Sequence, residues 1–156
     1  MPDGVQAEPE ARRSLKLWPD NAEGHGILSI ALMLEGKFPD SIAEARETLR
    51  LFPGHTSAKF QLAASLTKNL QYEKAVPAIR DALVALPNFP PLHKFLGISL
   101  FQTKHTAEAI RELSLYVNMD PADAGGHYYV GSALRAVGRE DEANAQFRLA
   151  PSLKSQ

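Results

Sequence analysis

Pro19, Pro53, Pro87 and Pro121 stand 34 residues apart in a chain of 156 residues. A fixed period of this length means that the chain repeats one supersecondary unit, and this constrains the fold more than any bulk property does. Other columns keep the same step. Ser41, Ala75, Ala109 and Ala143 form one, and Leu32, Leu66, Leu100 and Leu134 another. A further column holds Leu28, Leu62, Leu96 and Val130, followed at once by the small residues Ser29, Ala63, Gly97 and Gly131.

These columns describe two helices per unit. In the first helix Leu62, Ala63 and Leu66 share one face at helical spacing, and the small residue admits a close neighbour. In the second, Ala75 and Ile79, Ala109 and Leu113, and Ala143 and Phe147 lie one turn apart. Each proline stops its second helix, because it lacks an N–H and restricts the residue before it. Asp20-Asn21-Ala22-Glu23 and Ser41-Ile42-Ala43-Glu44 read as capping boxes. Gly36 and Gly138 fall in the turn between paired helices, where a left-handed residue is expected. Leu70 and Lys104 hold that place in the other units and predict different turns. Pro77 falls near the start of a second helix and predicts a kink or a shortening.

The expected helices are 8–17, then 22–35 with 40–51, 56–69 with 73–85, 90–103 with 106–119, and 123–137 with 140–150. Residues 1–21 read as a half-repeat with a single helix. Residues 22–150 read as four repeats (22–55, 56–89, 90–123, 124–150), and 151–156 as a frayed tail. Leu15 and Trp18 of the half-repeat need cover. At the other end, the face of Val130, Leu134, Ala143 and Phe147 is expected to be partly exposed, which invites a homodimer through the terminal repeats or docking of a further domain.

The period, together with the order of leucine, small residue, large apolar residue, alanine, large apolar residue and closing proline, resembles the tetratricopeptide repeat family over residues 7–150. His25, Lys59, His93 and His127 stand where that family carries an early tryptophan. The resemblance implies an all-α fold, a right-handed α-solenoid of stacked antiparallel helix pairs. It also implies a concave groove lined by the first helices, which holds a partner peptide or helix. Carried over by register, the lining includes Ile30 and Met33, then Phe60, Thr67 and Lys68, then Lys94, Ile98 and Phe101, then Tyr128 and Arg135. Phe60, Phe101 and Tyr128 would anchor apolar side chains, although Phe60 and Phe101 read equally well as packing between repeats. Lys68, Lys94 and Arg135 would meet an acidic group. A carboxylate clamp for a chaperone C-terminal tail is not expected. Lys94 holds a clamp-lysine register, but Ile98 stands where the asparagine belongs, and the other repeats hold Gly26 with Ile30, Phe60 with Ala64, and Tyr128 with Ser132.

Composition narrows the chemistry. Lys plus Arg number 17 against 18 Asp plus Glu, without the basic surplus that a nucleic-acid binder needs. No cysteine is present, so disulfides, cysteine-based zinc sites and thiol catalysis are out. The five histidines read as surface or inter-helix residues. Three share a register, but zinc ligands must converge within ~2 Å of one ion, whereas packed helices lie ~8–10 Å apart. Glu44, Glu73, Glu108 and Glu112 read as solvated charges on second helices. No glycine-rich phosphate loop and no nucleophile elbow occur, so neither a cofactor nor a catalytic residue is expected. The longest apolar run, Ile27 to Leu34 with Ser29 inside it, falls far short of the ~20 residues that cross a bilayer. Met1-Pro2-Asp3-Gly4 carries no signal-peptide pattern.

The expected function is therefore a protein-interaction scaffold or adaptor rather than an enzyme. The alternative is a docking or substrate-recognition region cut from a larger enzyme or a secretion or assembly protein.

Overall fold

The computed structural model describes residues 4–150, with side chains from Ala7 onward. Among the described residues there are nine helices and no strand: α1 (Gly4–Leu17), α2 (Ala22–Leu34), α3 (Phe38–Leu51), α4 (Thr56–Lys68), α5 (Tyr72–Ala85), α6 (Pro90–Gln102), α7 (Thr106–Met119), α8 (Ala124–Ala136) and α9 (Glu140–Arg148). The fold is all-α, of the α-solenoid class, with short turns between successive antiparallel helices.

The chain divides into two compact units, Met1–Pro87 and Asn88–Gln156. In the first, α1 to α5 pack in sequence, and α2 also touches α4. Ala11, Leu28 and Leu32 cluster there, with Leu15 packed against them. In the second, α6 to α9 pack in sequence and α6 touches α8. Leu100, Leu113, Val130, Leu134 and Phe147 are buried in this unit. Burial of such side chains at ~25 cal/mol per Å² is the main term holding each pair together.

Several expectations change. Helix α1 begins at Gly4 and runs through Pro9. Helix α5 runs unbroken from Tyr72 to Ala85 through Pro77, whose missing N–H leaves only the carbonyl of the exposed Glu73 without its helical donor. Ser41 does not cap α3. Lys37 holds that N-cap without a side-chain bond, and Ser41 lies buried within the helix. There its hydroxyl donates to the Ser29 carbonyl (2.8 Å) and also contacts the Ser65 hydroxyl (2.8 Å). The Ser29 hydroxyl donates back to the Ser41 carbonyl (3.0 Å). Hydroxyls at these close-packed positions survive burial because each finds a partner.

The four intra-pair turns are alike, contrary to the reading from Leu70 and Lys104. Gly36 (φ 75°), Leu70 (φ 58°), Lys104 (φ 68°) and Gly138 (φ 78°) are all left-handed. Each turn makes the same two bonds, exemplified by Leu70 N–H to Thr67 O (3.1 Å) and Gln71 N–H to Leu66 O (2.9 Å). This is the Schellman arrangement. Its geometry overrides the side chain, at a cost of about 1–2 kcal/mol for each non-glycine residue held there.

The terminal expectations also shift. Trp18 is 63% exposed, so it finds no cover. Val130, Leu134, Ala143 and Phe147 are buried, because α8 and α9 close on each other. The exposed apolar side chains of that region are instead Val137 and Leu149. Residues 151–156 lie outside the described residues.

Candidate interaction faces on the first helices

Helices α2, α4, α6 and α8 are the first helices of the pairs, and their N-termini set their positions. One register supplies all four N-caps: Asn21, His55, Phe89 and Asp123. Asn21 accepts from Gly24 N–H (3.2 Å) and His55 Nδ1 from Ala58 N–H (3.2 Å). Asp123 accepts from the N–H groups of Gly125 (3.0 Å) and Gly126 (3.2 Å) and from the Tyr116 hydroxyl (2.6 Å). It also takes the Lys94 ammonium. Burial opposes its charge, yet Lys94, Tyr116 and the amides outweigh that and hold its carboxyl down at about 2. Burial first, and then the carboxylates of Asp123 and Asp120, push the Tyr116 phenol up.

A second register ties first helices to second helices. His25 donates from Nδ1 to Glu44 and from Nε2 to the Pro19 carbonyl (2.8 Å). Both partners favour the doubly protonated ring. Partial burial disfavours that cation, but Glu44 and the Pro19 carbonyl outweigh it and raise the pKa of His25. His93 Nδ1 meets Glu112 (2.8 Å), and His127 Nδ1 meets Gln146 (2.7 Å) with Nε2 donating to the Pro121 carbonyl (3.1 Å). These histidines brace first helices against second helices. Glu44 and Glu112 are half-buried acceptors for them, not the solvated charges expected from the sequence. The 19-residue spacing from His25 to Glu44 and from His93 to Glu112 was readable in the sequence. Among the described residues no group of three or more metal-ligating side chains converges.

The side chains expected to line a groove fall into two sets. In the first unit, Ile30, Met33 and Phe60 are half-buried on α2 and α4, and Lys68 is exposed. Thr67 is buried and donates its hydroxyl to the Ala63 carbonyl (2.9 Å), so it has little to offer a ligand. Gly26, another residue of the clamp register, is covered by the His55 ring and Thr48. In the second unit, Ile98 and Phe101 are half-buried on α6. Tyr128 on α8 is 41% exposed, and its ring packs 5.9 Å from those of Tyr129 and Phe147. Arg135 is exposed, with its guanidinium 4.8 Å from the Phe147 ring centre. Lys94 is engaged with Asp123 and lies 5.3 Å from the Tyr116 ring centre, so it is a brace for the α8 N-terminus. Among the described residues no helix is long and apolar enough to cross a membrane.

Comparison with known proteins fits this arrangement. The tetratricopeptide repeat model matches residues 6–56. Anaphase-promoting complex subunit 3 of Dictyostelium discoideum is 28% identical over 110 residues, which is 70% of this chain. The chain spans 11% of that relative's length. Among solved structures, MamA from Desulfovibrio magneticus RS-1 superposes with a TM-score of 0.87 at 20% identity, covering 99% of this chain and 88% of that one. YrrB, described as a TPR protein with an unusual peptide-binding site, gives 0.83 at 17% identity, covering 95% and 76%. At such identities the structural likeness speaks for the fold alone. Together with the 34-residue period and the paired helices, these matches make the chain similar to tetratricopeptide repeat proteins, with the family model itself covering residues 6–56.

Proposed function

We propose that this protein is an interaction scaffold that holds a peptide or helix of a partner protein against the exposed faces of its first helices. The chief support is the set of large side chains left accessible on otherwise buried helices: Ile30, Met33 and Phe60 in the first unit, and Ile98, Phe101 and Tyr128 in the second. Aromatic and long apolar residues of this kind carry much of the energy at interface centres. Lys68 and Arg135 are the cations placed to meet an acidic group of the partner. The likeness to YrrB supports the peptide class of ligand. Binding rather than catalysis is the reading that these faces favour.

A second reading has one observation behind it. The match covers only 11% of that relative's length, and this favours a recognition region that works as part of a larger assembly protein.

Photo-crosslinking tests the first reading. A crosslinking amino acid is placed at Met33 or Tyr128, with Glu73 as the control position. Capture of one partner from Met33 or Tyr128 but not from Glu73, lost in Met33→Ala/Lys68→Glu or Tyr128→Ala/Arg135→Glu, supports the face in that unit. Equal capture from Glu73 overturns it. Lys94 is left alone, since reversing its charge would strip Asp123 of its cation.

A further inference from the structure

Trp18, the only tryptophan of the chain, does little for the fold. It is exposed, and among the described residues its indole makes no hydrogen bond and no ring contact. With the exposed Leu17 it borders an open pocket of about 450 Å³, completed by Pro19, Asp20 and Asn21. Local bonds explain the shape. Pro19 holds the second position of a turn, which Asn21 N–H closes on the Trp18 carbonyl (3.2 Å). Trp18 N–H bonds the Ser14 carbonyl at the end of α1 (3.0 Å), His25 bonds the Pro19 carbonyl (2.8 Å), and Asn21 caps α2. The backbone of the pocket is therefore pinned on both sides.

This turn faces solvent by its place in the repeat. One period on, with α2, α3 and α4 all in place, Phe52 is still 54% exposed, and Pro53 and Gly54 are exposed with it. Helix α2 reaches the next residue, His55, through Glu23 (3.2 Å) and Gly26. By the same register, a helix standing before α1 would meet Asn21 and leave Trp18 and Asp20 open.

The chemistry of the pocket is that of a cation site. An indole face attracts a cation more than other rings do, and a carboxylate beside it adds a charge-assisted bond. Asp20 supplies that carboxylate. Its side chain is 87% exposed, and its cation partner, Arg50, stands 3.8 Å away while bonding Glu47 (2.6 Å). Elsewhere the chain fills the same combination itself: the Lys94 ammonium lies 5.3 Å from the Tyr116 ring centre and pairs with Asp123. A guanidinium suits the open pocket best, because its plane stacks on an indole while its edge bonds a carboxylate through two N–H groups. The pocket covers one side of a guest, which fits a side chain carried on another backbone. Small molecules are held in clefts that bury most of their surface.

We propose that the Trp18 pocket binds an arginine side chain presented by a partner protein. The guanidinium stacks on the indole and bonds Asp20, and an apolar neighbour of that arginine rests on Leu17. The site lies at the turn between α1 and α2. It is separate from the faces of the first helices proposed above to bind peptide.

The test uses the full chain and follows its single indole N–H resonance by NMR as the peptide acetyl-Gly-Leu-Arg-Gly-amide is added. Saturable movement of that resonance is expected. Citrulline in place of the arginine, or Asp20→Asn in the protein, should weaken binding about fivefold. Arg50→Gln, which frees Asp20 and removes a competing cation, should tighten it. Both substituted side chains are exposed, so circular dichroism should match that of the parent. No movement up to about 10 mM peptide overturns the proposal. Binding that ignores both citrulline and Asp20→Asn overturns it too, since the pocket would then be merely apolar. Free argininamide bound as tightly as the peptide overturns the partner protein in favour of a small guanidine.

Discussion

The two units close the same helix pair with opposite distributions of volume. In the first, the small place of α2 is Ser29, and the register across the pair puts Ala45 opposite it. Both are fully buried, and the hydroxyls of Ser29, Ser41 and Ser65 link up in the space that remains. In the second, Gly97 and Gly131 take that place opposite Leu113 and Phe147. A Cβ on Gly97 would lie 2.4 Å from Leu113 Cγ, and one on Gly131 would lie 2.7 Å from the Phe147 ring. Ala63 and Ile79, both fully buried, fall between these extremes. The filling between paired helices thus passes from polar and shared to apolar and one-sided. Close packing lets a small residue on one helix admit a larger one on its partner.

The largest effect that would break this comparison is at Leu113. Leu113→Ala should cost about 2–5 kcal/mol by emptying the space that Gly97 leaves. Gly97→Ser alone should cost about 1–3 kcal/mol by overpacking. The double variant, which copies Ser29 with Ala45, should lose clearly less than the sum in urea unfolding. Additive losses would show that the two positions do not share one volume.

Next comes the hydroxyl chain of the first unit. Ser41→Ala copies Ala75, Ala109 and Ala143 of the other pairs, yet here it takes a partner from the buried Ser29 and Ser65 hydroxyls. We expect a loss of about 1–3 kcal/mol. Ala109→Ser in the second unit should give no compensating gain.

The braces differ in charge, and pH sharpens the contrast. The raised pKa of His25 means that its contribution is fully present below the unfolded value of ~6.5 and fades as pH rises through the folded value. Glu44→Gln, which copies Gln146, should lower the His25 midpoint in an imidazole NMR titration and flatten stability between pH 6 and 8, on the order of the range of that titration. The carboxyl of Asp123 runs the other way. Its contribution is present above the unfolded value of ~3.9 and is lost as pH falls through about 2. Asp123→Asn, which copies Asn21, should remove that acid-limb dependence.

The smallest expected effect concerns the turns. Leu70→Gly and Lys104→Gly copy Gly36 and Gly138 and should each stabilise by about 1 kcal/mol, raising the urea midpoint without changing the slope. A loss at either position would mean that the side chain contributes contacts beyond the turn.

The period made the helix pairs legible, because prolines, leucines and small residues recur in phase. The turns at Leu70 and Lys104 were not, since nothing in either residue type announces a left-handed backbone that two carbonyls impose from the preceding helix. Ser41 was misread for a related reason. Ser-x-x-Glu signals a cap only where the chain is free to start a helix, and α3 had already started at Phe38. Among the residues expected to line a groove, register alone reached the exposed Lys68, Tyr128 and Arg135. It did not show that Lys94 is spent on Asp123 or that Thr67 turns inward, because both depend on which neighbour lies closer in space. The same register held the histidine–glutamate braces in plain view. They were missed because Glu44 and Glu112 were judged as isolated charges instead of by their distance from His25 and His93.

The shared volume across each pair has a consequence for how such a chain can be rebuilt. The first and second helices of one pair behave as a matched key and lock, so a cut between them is not neutral. Splicing α6 onto α3 would set Gly97 opposite Ala45 and leave a void about the size of an isopropyl group, whereas splicing α2 onto α7 would drive Ser29 into Leu113. Recombination within this chain, natural or engineered, should therefore succeed when whole hairpins move together and fail when single helices do.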